Sequence, residues 1–586
     1  MGCMQENSQR AQDQQKSDPE SSALPSQSKQ YFDETYDVVI VGTGCAGLTA
    51  AIVVAKKHGL SVLVAEKSRY LGGITAFSNP GLWVPCNPFQ HKMGVTDSKE
   101  LAWKYLKGVI GENDERSVNG FLENAPKMVQ WIDEYTALHF ITSPLPDYHQ
   151  GKEGALATGR GLRVADFDGR KLGRSRLRDI RYVLQGSRLF DSMQMSVQDR
   201  PILLNPFASF FNLAYTVQKV LRYIADLAWY GKGSFLAGGN SIVGSLVYSL
   251  DREQKVEIWQ EAPVTDIIMN GDRVAGVVVD VKSRNGPVRV RARKGIVLAT
   301  GGIGRSSATE RSQEYCLSPR SVSGDGIRLA VSVGADLPSQ NPDYAIFAPV
   351  SILRPKQGRG PIRMFAHFGY DRGKPGSVIV NEKGHRFLNE SEGYHQFVQK
   401  MHNDKLNSCY LIGDREFVRK YGMGLALPSP YPISTCLASD YLICASTIPD
   451  LAAKIGVPVN NLIEAVEQNN KNAALCKDEK FNRGNGPYDR FLGDPSHKPH
   501  PNLGTCTQAP FYALKMYPGN VSTLYGLATN ENAQVLGKYG IPIKGLYAAG
   551  NDQDSLWKGT YPSGGSWLSS AMTFGFIAGN HLAMQS

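Results

Sequence analysis

The chain lacks any run of eighteen apolar residues, so no segment reads as a transmembrane helix. Residues 1–30 contain no apolar core of the secretory type, and the reading is of a chain without a secretory signal. No Lys/Arg cluster of the nucleic-acid-binding kind occurs, although the formal net charge is +10. Dispersed basic residues point to solubility and cofactor phosphates, not to a nucleic-acid partner. Nine cysteines, odd in number and without a C-x-x-C pair, argue against a metal site and for a reducing compartment, cytoplasmic or another intracellular one. The opening MGCMQE has Gly2 and Cys3, but Glu6 stands where a myristoylation signal carries Ser or Thr.

Ordinary globular material is present in quantity. With 586 residues, 42% hydrophobic and 20% charged, the chain is long enough for two or more domains with large cores. Residues 1–35, rich in Gln, Ser, Lys and Glu, read as a disordered tail. The stretch from Tyr36 to Glu66 then sets the organisation. Val38–Val41 is a buried parallel strand, followed by Gly42, Gly44 and Gly47 in G-x-G-x-x-G spacing, an Ala-rich helix, and a second strand, Ser61–Ala65, ending on Glu66. Gly42 permits the turn, Gly44 lets backbone N–H groups approach a pyrophosphate, and Gly47 lets helix pack on strand. Glu66 is placed to accept from a ribose hydroxyl. Together these parts define a dinucleotide site.

Further glycine turns recur along the chain. Gly72 and Gly73 directly follow the second strand and its acid, a position from which the backbone can pass close to a cofactor. Residues 98–140 carry helical periodicity, and residues 141–200 are Gly- and Arg-rich without a regular pattern. Pro206–Tyr230 reads as a partly buried helix, with a membrane-surface helix as the alternative, so peripheral membrane contact stays open. Val256–Trp259, Pro263–Met269 and Arg273–Val281 are strand-like, the last two joined by a Gly271-Asp272 turn. Strand-like runs at Val288–Arg293 and Gly295–Ala299 end on Thr300-Gly301-Gly302. After residue 305 the βαβ rhythm is lost until Gly545–Gly550 and Asn551, which precede a helix of small apolar residues from about Trp567 to His581. That helix points its positive end at whatever lies before it, and a flavin edge that turns negative on reduction suits the position.

The motifs VVIVGTGCAGLTAA, VAEK, GGITAFS, VLATGGI and GLYAAGND, with GTYPSGG and AMTFGFIAG, resemble the fumarate-reductase-type FAD flavoproteins, and within them the 3-ketosteroid Δ1-dehydrogenases. The resemblance covers essentially everything after residue 35. It implies an α/β protein: a Rossmann-like FAD-binding domain built from both chain ends (residues 36–304 and 512–586) and an inserted α+β catalytic domain (305–511). Noncovalent FAD is expected to contact Gly42, Gly44, Cys45, Ala46, Gly47, Glu66, Lys67, Gly73, Ile74, Thr75, Ser78, Val264, Thr300, Gly301, Gly550, Asn551, Trp567 and Leu568.

Fumarate reductases carry His and Arg at the turn where this chain has Tyr561 and, four residues on, Gly565. The resemblance implies that Tyr561 O–H and Gly565 N–H polarise a C3 carbonyl oxygen. Tyr394 would remove the C2 proton while hydride leaves C1 for the flavin. Tyr148, in PDYHQG, would assist. A phenol with an ordinary pKa near 10 needs a lowering influence for that task. The expected substrate is a hydrophobic polycyclic ketone, a 3-keto steroid or a triterpenoid. The alternative is an enone reductase or a dehydrogenase of another cyclic ketone. The electron acceptor is not specified by the sequence. Three segments depart from the family pattern: Ser78-Asn79-Pro80-Gly81, Ser522–Gly526 and the bulky Trp567.

Overall fold

The computed structural model describes residues 31–79, 81–111, 115–184, 186, 188–284, 286–305, 315–338, 345–356, 361–369 and 371–585. The tail reading for residues 1–30 and the acylation reading lie outside these. Of the expected tail, residues 34 and 35 instead begin the first strand.

That strand, β1 (Glu34–Val41), leads into helix α1 (Cys45–Ile52) and strand β2 (Val62–Ala65). Every residue of α1 is buried, which its Ala- and Gly-rich sequence allows because no large polar side chain has to be accommodated. Helices α2 (Lys99–Ile110), α3 (Glu115–Tyr135) and α4 (Phe210–Tyr230) follow. Then come β3 (Val256–Trp259), β4 (Val264–Asn270), β5 (Arg273–Asp280) and β6 (Pro287–Leu298). The two runs read around Val288 and Gly295 are one continuous strand, β6. A second set of elements comprises β7 (Ala345–Leu353), β8 (Arg363–Ala366), β9 (Val378–Asn381), helix α5 (Tyr394–Asn403), β10 (Cys409–Asp414), β11 (Ile443–Ala445) and β12 (Phe511–Thr523). The chain ends with β13 (Gln534–Leu536), β14 (Pro542–Ala548) and α6 (Ser566–Met584).

The first sheet has the order β3-β2-β1-β6-β5-β14-β13, with β4 paired to β5. Its centre is parallel: Val39 lies opposite both Leu63 and Ile296, and Leu298 lies opposite Ala548. Strands β1, β2, β6 and β14 read as near-continuous apolar runs because both of their faces are covered. On one face, α1, α3 and α6 pack around Val38, Ile40, Leu48, Val297 and Tyr547. On the other, Val39, Leu63, Ile296 and Leu298 meet the β4–β5 hairpin. The C-terminal strand and helix thus complete a sheet that begins at the N-terminus.

The second sheet has the order β8-β7-β12-β10-β9, with β11 paired to β12. Its contents shift both boundaries expected for the insertion. Residues 325–332 form a helix that buries Ile327, Leu329 and Ala330 against the first sheet, so that segment belongs with the dinucleotide unit. Strand β12, past residue 511, is the central strand of the second sheet, paired with both β7 and β10.

Helix α4 is partly buried, as expected: Tyr223 and Asp226 are buried and Tyr215 and Val220 pack on the cluster of Leu189, Met193 and Leu203, while Phe210, Leu221, Ile224 and Trp229 face outward.

Candidate active site

Two helices that begin on glycines point at one cavity. Gly44 precedes α1 and Gly565 precedes α6, and neither glycine has a side chain to cap its helix, although Thr75 Oγ1 accepts from the first amide of α1, Cys45 N. The first-turn amides of both therefore offer positive partial charge to an incoming anion or carbonyl oxygen. Gly42 makes the first approach possible, with φ +109 and a Cβ position that would fall 2.3 Å from the Ala299 carbonyl oxygen.

Around this cavity the wall is made of small residues from distant parts of the chain: Ala46, Ala299, Gly301, Ala549, Gly550 and Ala571. Asp552 ties two of these turns together. Its buried carboxylate accepts from Thr300 N and Thr300 Oγ1 and, at 2.9 Å, from Gly302 N. Burial raises the Asp552 carboxyl above its ordinary range, and these three donors pull it back down. Thr75 Oγ1 accepts from Cys45 N at 2.9 Å, fixing the Gly73–Ser78 turn against α1. Trp567 Nε1–H donates to Asn551 Oδ1 at 2.7 Å, and Asn551 Nδ2 donates to Ser522 Oγ at 2.7 Å. A flat, anionic dinucleotide fits this combination of small walls and open amides.

Of the eighteen expected cofactor contacts, Cys45, Ala46, Ile74, Thr75, Ser78, Gly301, Gly550, Asn551, Trp567 and Leu568 line the cavity. Gly42, Gly44, Gly47 and Thr300 form the turns behind it. Four lie differently. Glu66 Oε2 accepts from Thr43 Oγ1 at 2.5 Å and its Oε1 from Ser68 N at 2.9 Å, so part of its accepting capacity is already used. Lys67 Nζ is paired with Asp325 and, at 2.6 Å, bonds Ser323 Oγ. Val264 has its side chain in the core under the β4–β5 hairpin, although Ala262 N, two residues before it, donates to the Glu66 carbonyl at 3.0 Å. Gly73 sits in the turn but does not line the cavity.

The other end of the cavity is phenolic. Tyr561, Tyr394 and Tyr148 come from three separate segments and converge, with ring centroids 5.3 Å apart for Tyr394–Tyr561, 5.7 Å for Tyr148–Tyr561 and 6.2 Å for Tyr148–Tyr394. Gly565 N donates to Tyr561 Oη at 3.4 Å. Each tyrosine has its own support. Tyr148 follows Asp147, whose buried carboxylate receives Trp83 Nε1–H at 2.6 Å and Arg160 Nη1 at 2.8 Å, while Arg160 also grips Asp97. Tyr394 begins α5. Its neighbour His395 donates from Nε2 to the Gly559 carbonyl (3.0 Å) and accepts from Phe347 N at Nδ1 (3.2 Å), holding α5 to the loop that carries Tyr561. Tyr561 stacks on Trp567, centroids 6.4 Å apart and planes at 10°.

The sequence did not indicate a fourth phenol, Tyr488, on the short helix Pro487–Leu492, with its ring 4.3 Å from Tyr148. Behind it lies the fully buried Arg372, whose Nε and Nη1 donate to the His367 and Glu390 carbonyls, while Nη2 has no partner among the described residues. Burial pushes the Tyr488 phenol up to about 12, and Arg372 is the largest opposing pull. Burial also drives Tyr394 and Tyr148 well above the ordinary phenol value, with neighbouring phenols adding to it, and raises Tyr561. This corrects the expectation of a net lowering at Tyr394. The hydrogen bond from Tyr148 lowers it, but desolvation is the larger effect. Phe491, Leu492, Phe368, Ile346 and Leu317 complete an apolar lining in which, among the described residues, Arg163 is the single charged side chain.

A two-ended sheet, glycine-begun helices and small-walled cavity define a dinucleotide-binding flavoprotein. The chain belongs to the FAD binding domain family, whose model matches residues 37–568. It is 32% identical to the 3-oxosteroid 1-dehydrogenase of Mycobacterium tuberculosis, covering 94% of this chain and 99% of the relative. It is also 32% identical to the 4-oxocyclohex-2-ene-1-carboxylate 5-dehydrogenase of Sinomonas cyclohexanicum, covering 93% of each. Among solved structures, the 3-ketosteroid delta1-dehydrogenase from Sterolibacterium denitrificans in complex with 1,4-androstadiene-3,17-dione is similar with a TM-score of 0.83 at 32% identity, covering 94% of this chain and 99% of that one. A flavocytochrome c3 fumarate reductase, at 23% identity and a TM-score of 0.59, shares the fold. The protein is an FAD-dependent oxidoreductase, as the resemblance implied.

Proposed function

We propose that the protein removes hydrogen from C1 and C2 of a 3-keto steroid or a steroid-like polycyclic ketone. One observation carries this reading: Tyr148, Tyr394, Tyr561 and the Gly565 N–H meet at one end of a nearly uncharged cavity whose opposite wall is the dinucleotide site. The relatives named for 3-oxosteroid dehydrogenation support the substrate class.

In this reading Tyr561 O–H and Gly565 N–H donate to the C3 carbonyl oxygen and stabilise the enolate charge as it develops. The positive end of α6 lies beside them and adds to the same effect. Tyr394 accepts the C2 proton. It does so as the phenolate, formed when its own proton leaves to solvent; burial makes that form rare, and Tyr148 stabilises it by donating to the Tyr394 oxygen. The apolar lining orients the ring system and excludes water. FAD, when bound, supplies the acceptor for the hydride that leaves C1. The residues suited to hold it are the Gly42–Gly47 turn, Thr75, Asn551 and Trp567. An acceptor for the reduced flavin's electrons is a further partner, and the free thiols of the described cysteines support a reducing compartment.

Arg163 favours a second reading. A guanidinium in the cavity wall suits a cyclohexanone that carries a carboxylate, the substrate type in the Sinomonas relatives' names. Anaerobic mixing separates the two. Flavin bleaching by a 3-keto steroid, with no response to 4-oxocyclohexanecarboxylate, supports the steroid reading. The reverse pattern supports the second. Bleaching by neither, with reoxidation of reduced flavin by an enone, leaves a reductase and overturns both.

A further inference from the structure

The strand Gly161–Val164 sends its side chains two ways. Leu162 and Val164 are buried in the core that includes α1, whereas Arg163, between them, reaches the wall of the active-site cavity. Its backbone is fixed by pairing with Gly81, whose carbonyl lies beside Gly565. The cation therefore keeps a set relation to the turn that carries the ketone donors. Among the described residues its guanidinium has no hydrogen-bond or ion-pair partner.

Arg163 also lines a second, smaller cavity of about 50 Å³, which adjoins the first along Ser78, Asn79 and Val197. The first cavity is apolar; the second is polar, with Gln194, Ser196, Arg200 and Asp166 in its walls. Gln194 is committed on both sides, accepting from Ala237 N at 2.9 Å and donating to Asn240 Oδ1 at 3.1 Å. The Asn79 amide has no partner among the described residues and is available as a donor. Arg200 adds a second guanidinium, whose Nη1 donates to the Gly186 carbonyl at 3.2 Å. Two cations thus stand with one carboxyl, and the balance is positive.

We propose that this side cavity is a carboxylate subsite, in which Arg163 and the Asn79 amide receive the anionic end of a side chain carried by the polycyclic ketone. The proposal rests on the dehydrogenase reading above and narrows it to ketones that bear an acid arm. Size, charge and place each favour such an arm. The volume admits a carboxylate but not another ring. A guanidinium without a partner beside apolar surface costs free energy, and a planar carboxylate is the partner whose two oxygens match its fork. Val197, 49% exposed, lies on both walls and sets the side cavity toward the opening, while Tyr561, which receives the ketone, is buried. A ring system that reaches from one to the other has its acid at the end remote from the ketone. The cyclohexanone reading instead needs the acid on the ketone ring itself.

Titration of the oxidised holoenzyme, read as perturbation of the flavin absorbance, tests the subsite without turnover. The probes are a 1,4-dien-3-one steroid whose C17 side chain ends in a carboxylate, and the methyl ester of the same steroid. At neutral pH, where the acid is ionised, it is expected to bind roughly tenfold tighter than the ester. In Arg163→Met that preference should disappear. The variant strands no partner, so its flavin content and melting temperature should match wild type. Equal affinity of wild type for acid and ester overturns the subsite and leaves the steroid reading standing. So does an acid preference that survives Arg163→Met unchanged. Wild type that responds to neither steroid but does respond to 4-oxocyclohexanecarboxylate overturns the steroid reading, and the acid arm with it.

Discussion

The Gly565 N–H and the Tyr561 hydroxyl face each other at 3.4 Å across the turn that begins α6. The contact is long and weak for a hydrogen bond, so both donors are available to an oxygen set beside them in the cavity. A ketone oxygen placed there receives two donors and the positive end of a helix.

Replacing Tyr561 with Phe removes one donor and leaves the stacking on Trp567 and the flavin walls in place. The expected result is a protein with normal flavin content whose rate of flavin reduction by ketone falls by about 10²–10³. Stopped-flow absorbance under anaerobic conditions measures it. A fall of less than about threefold would remove Tyr561 from the role assigned to it.

Gly565→Ala fails for a different reason. The residue sits at φ +91, and a Cβ would stand 2.4 Å from the Gly81 carbonyl oxygen. Backbone strain and overlap together cost about 2–5 kcal/mol. The expected result is a lower melting temperature and loss of flavin absorbance, not an intact but slow enzyme.

Arg160 joins Asp97 and Asp147 in a buried cluster at the root of the Tyr148 loop. Burial raises the Asp147 carboxyl, and Arg160 is its largest counterweight. Arg160→Met leaves two carboxylates buried without their cation, a loss of about 3–5 kcal/mol. Thermal melting should show it. The double change Arg160→Met with Asp147→Asn should recover part of the loss, because one of the stranded charges is gone. No recovery would mean that the guanidinium acts by packing on Trp83 and Tyr105 instead.

What the sequence made readable was local. The turn from Gly42 to Gly47 and the Tyr561–Gly565 pair are short-range patterns, and Gly42, Gly47 and Gly565 are each explained by a close approach to backbone in the same turn or in an adjoining strand. Tyr394 and Tyr148 were found through family resemblance, since nothing near either residue announces that they meet. Tyr488, Phe491 and Leu492 carry no motif, and only tertiary folding sets them beside Tyr148. Helix α4 shows a different limit. Periodicity gives a helix two faces without saying which one turns inward, and here the inward face combines Tyr215, Val220 and Tyr223 with Lys219, Arg222 and Asp226, whose partners Asp199, Asp168 and Ser234 lie outside the helix. The insertion boundaries were misplaced where a segment's partner lies far away in sequence, as for β12.

His395 sets a pH dependence. Its ring is buried between Phe347 N and the Gly559 carbonyl, and burial lowers its pKa from the ordinary 6.5 to about 4. The folded protein therefore binds fewer protons than the unfolded chain between these values, so stability is full above pH 6.5 and falls as pH drops toward 4. The loss from this group is on the order of 3 kcal/mol across that window. His149, bonded to the Tyr561 carbonyl and also lowered by burial, acts in the same direction. The expected outcome is a melting temperature that declines through this range, with a shallower decline in His395→Gln, which has no proton to gain. An equal slope in the variant would show that other groups carry the acid sensitivity. Because His395 joins α5 to the Tyr561 loop, flavin reduction by ketone in folded wild type should hold through this window and decline only near pH 4, where the native ring itself takes up a proton.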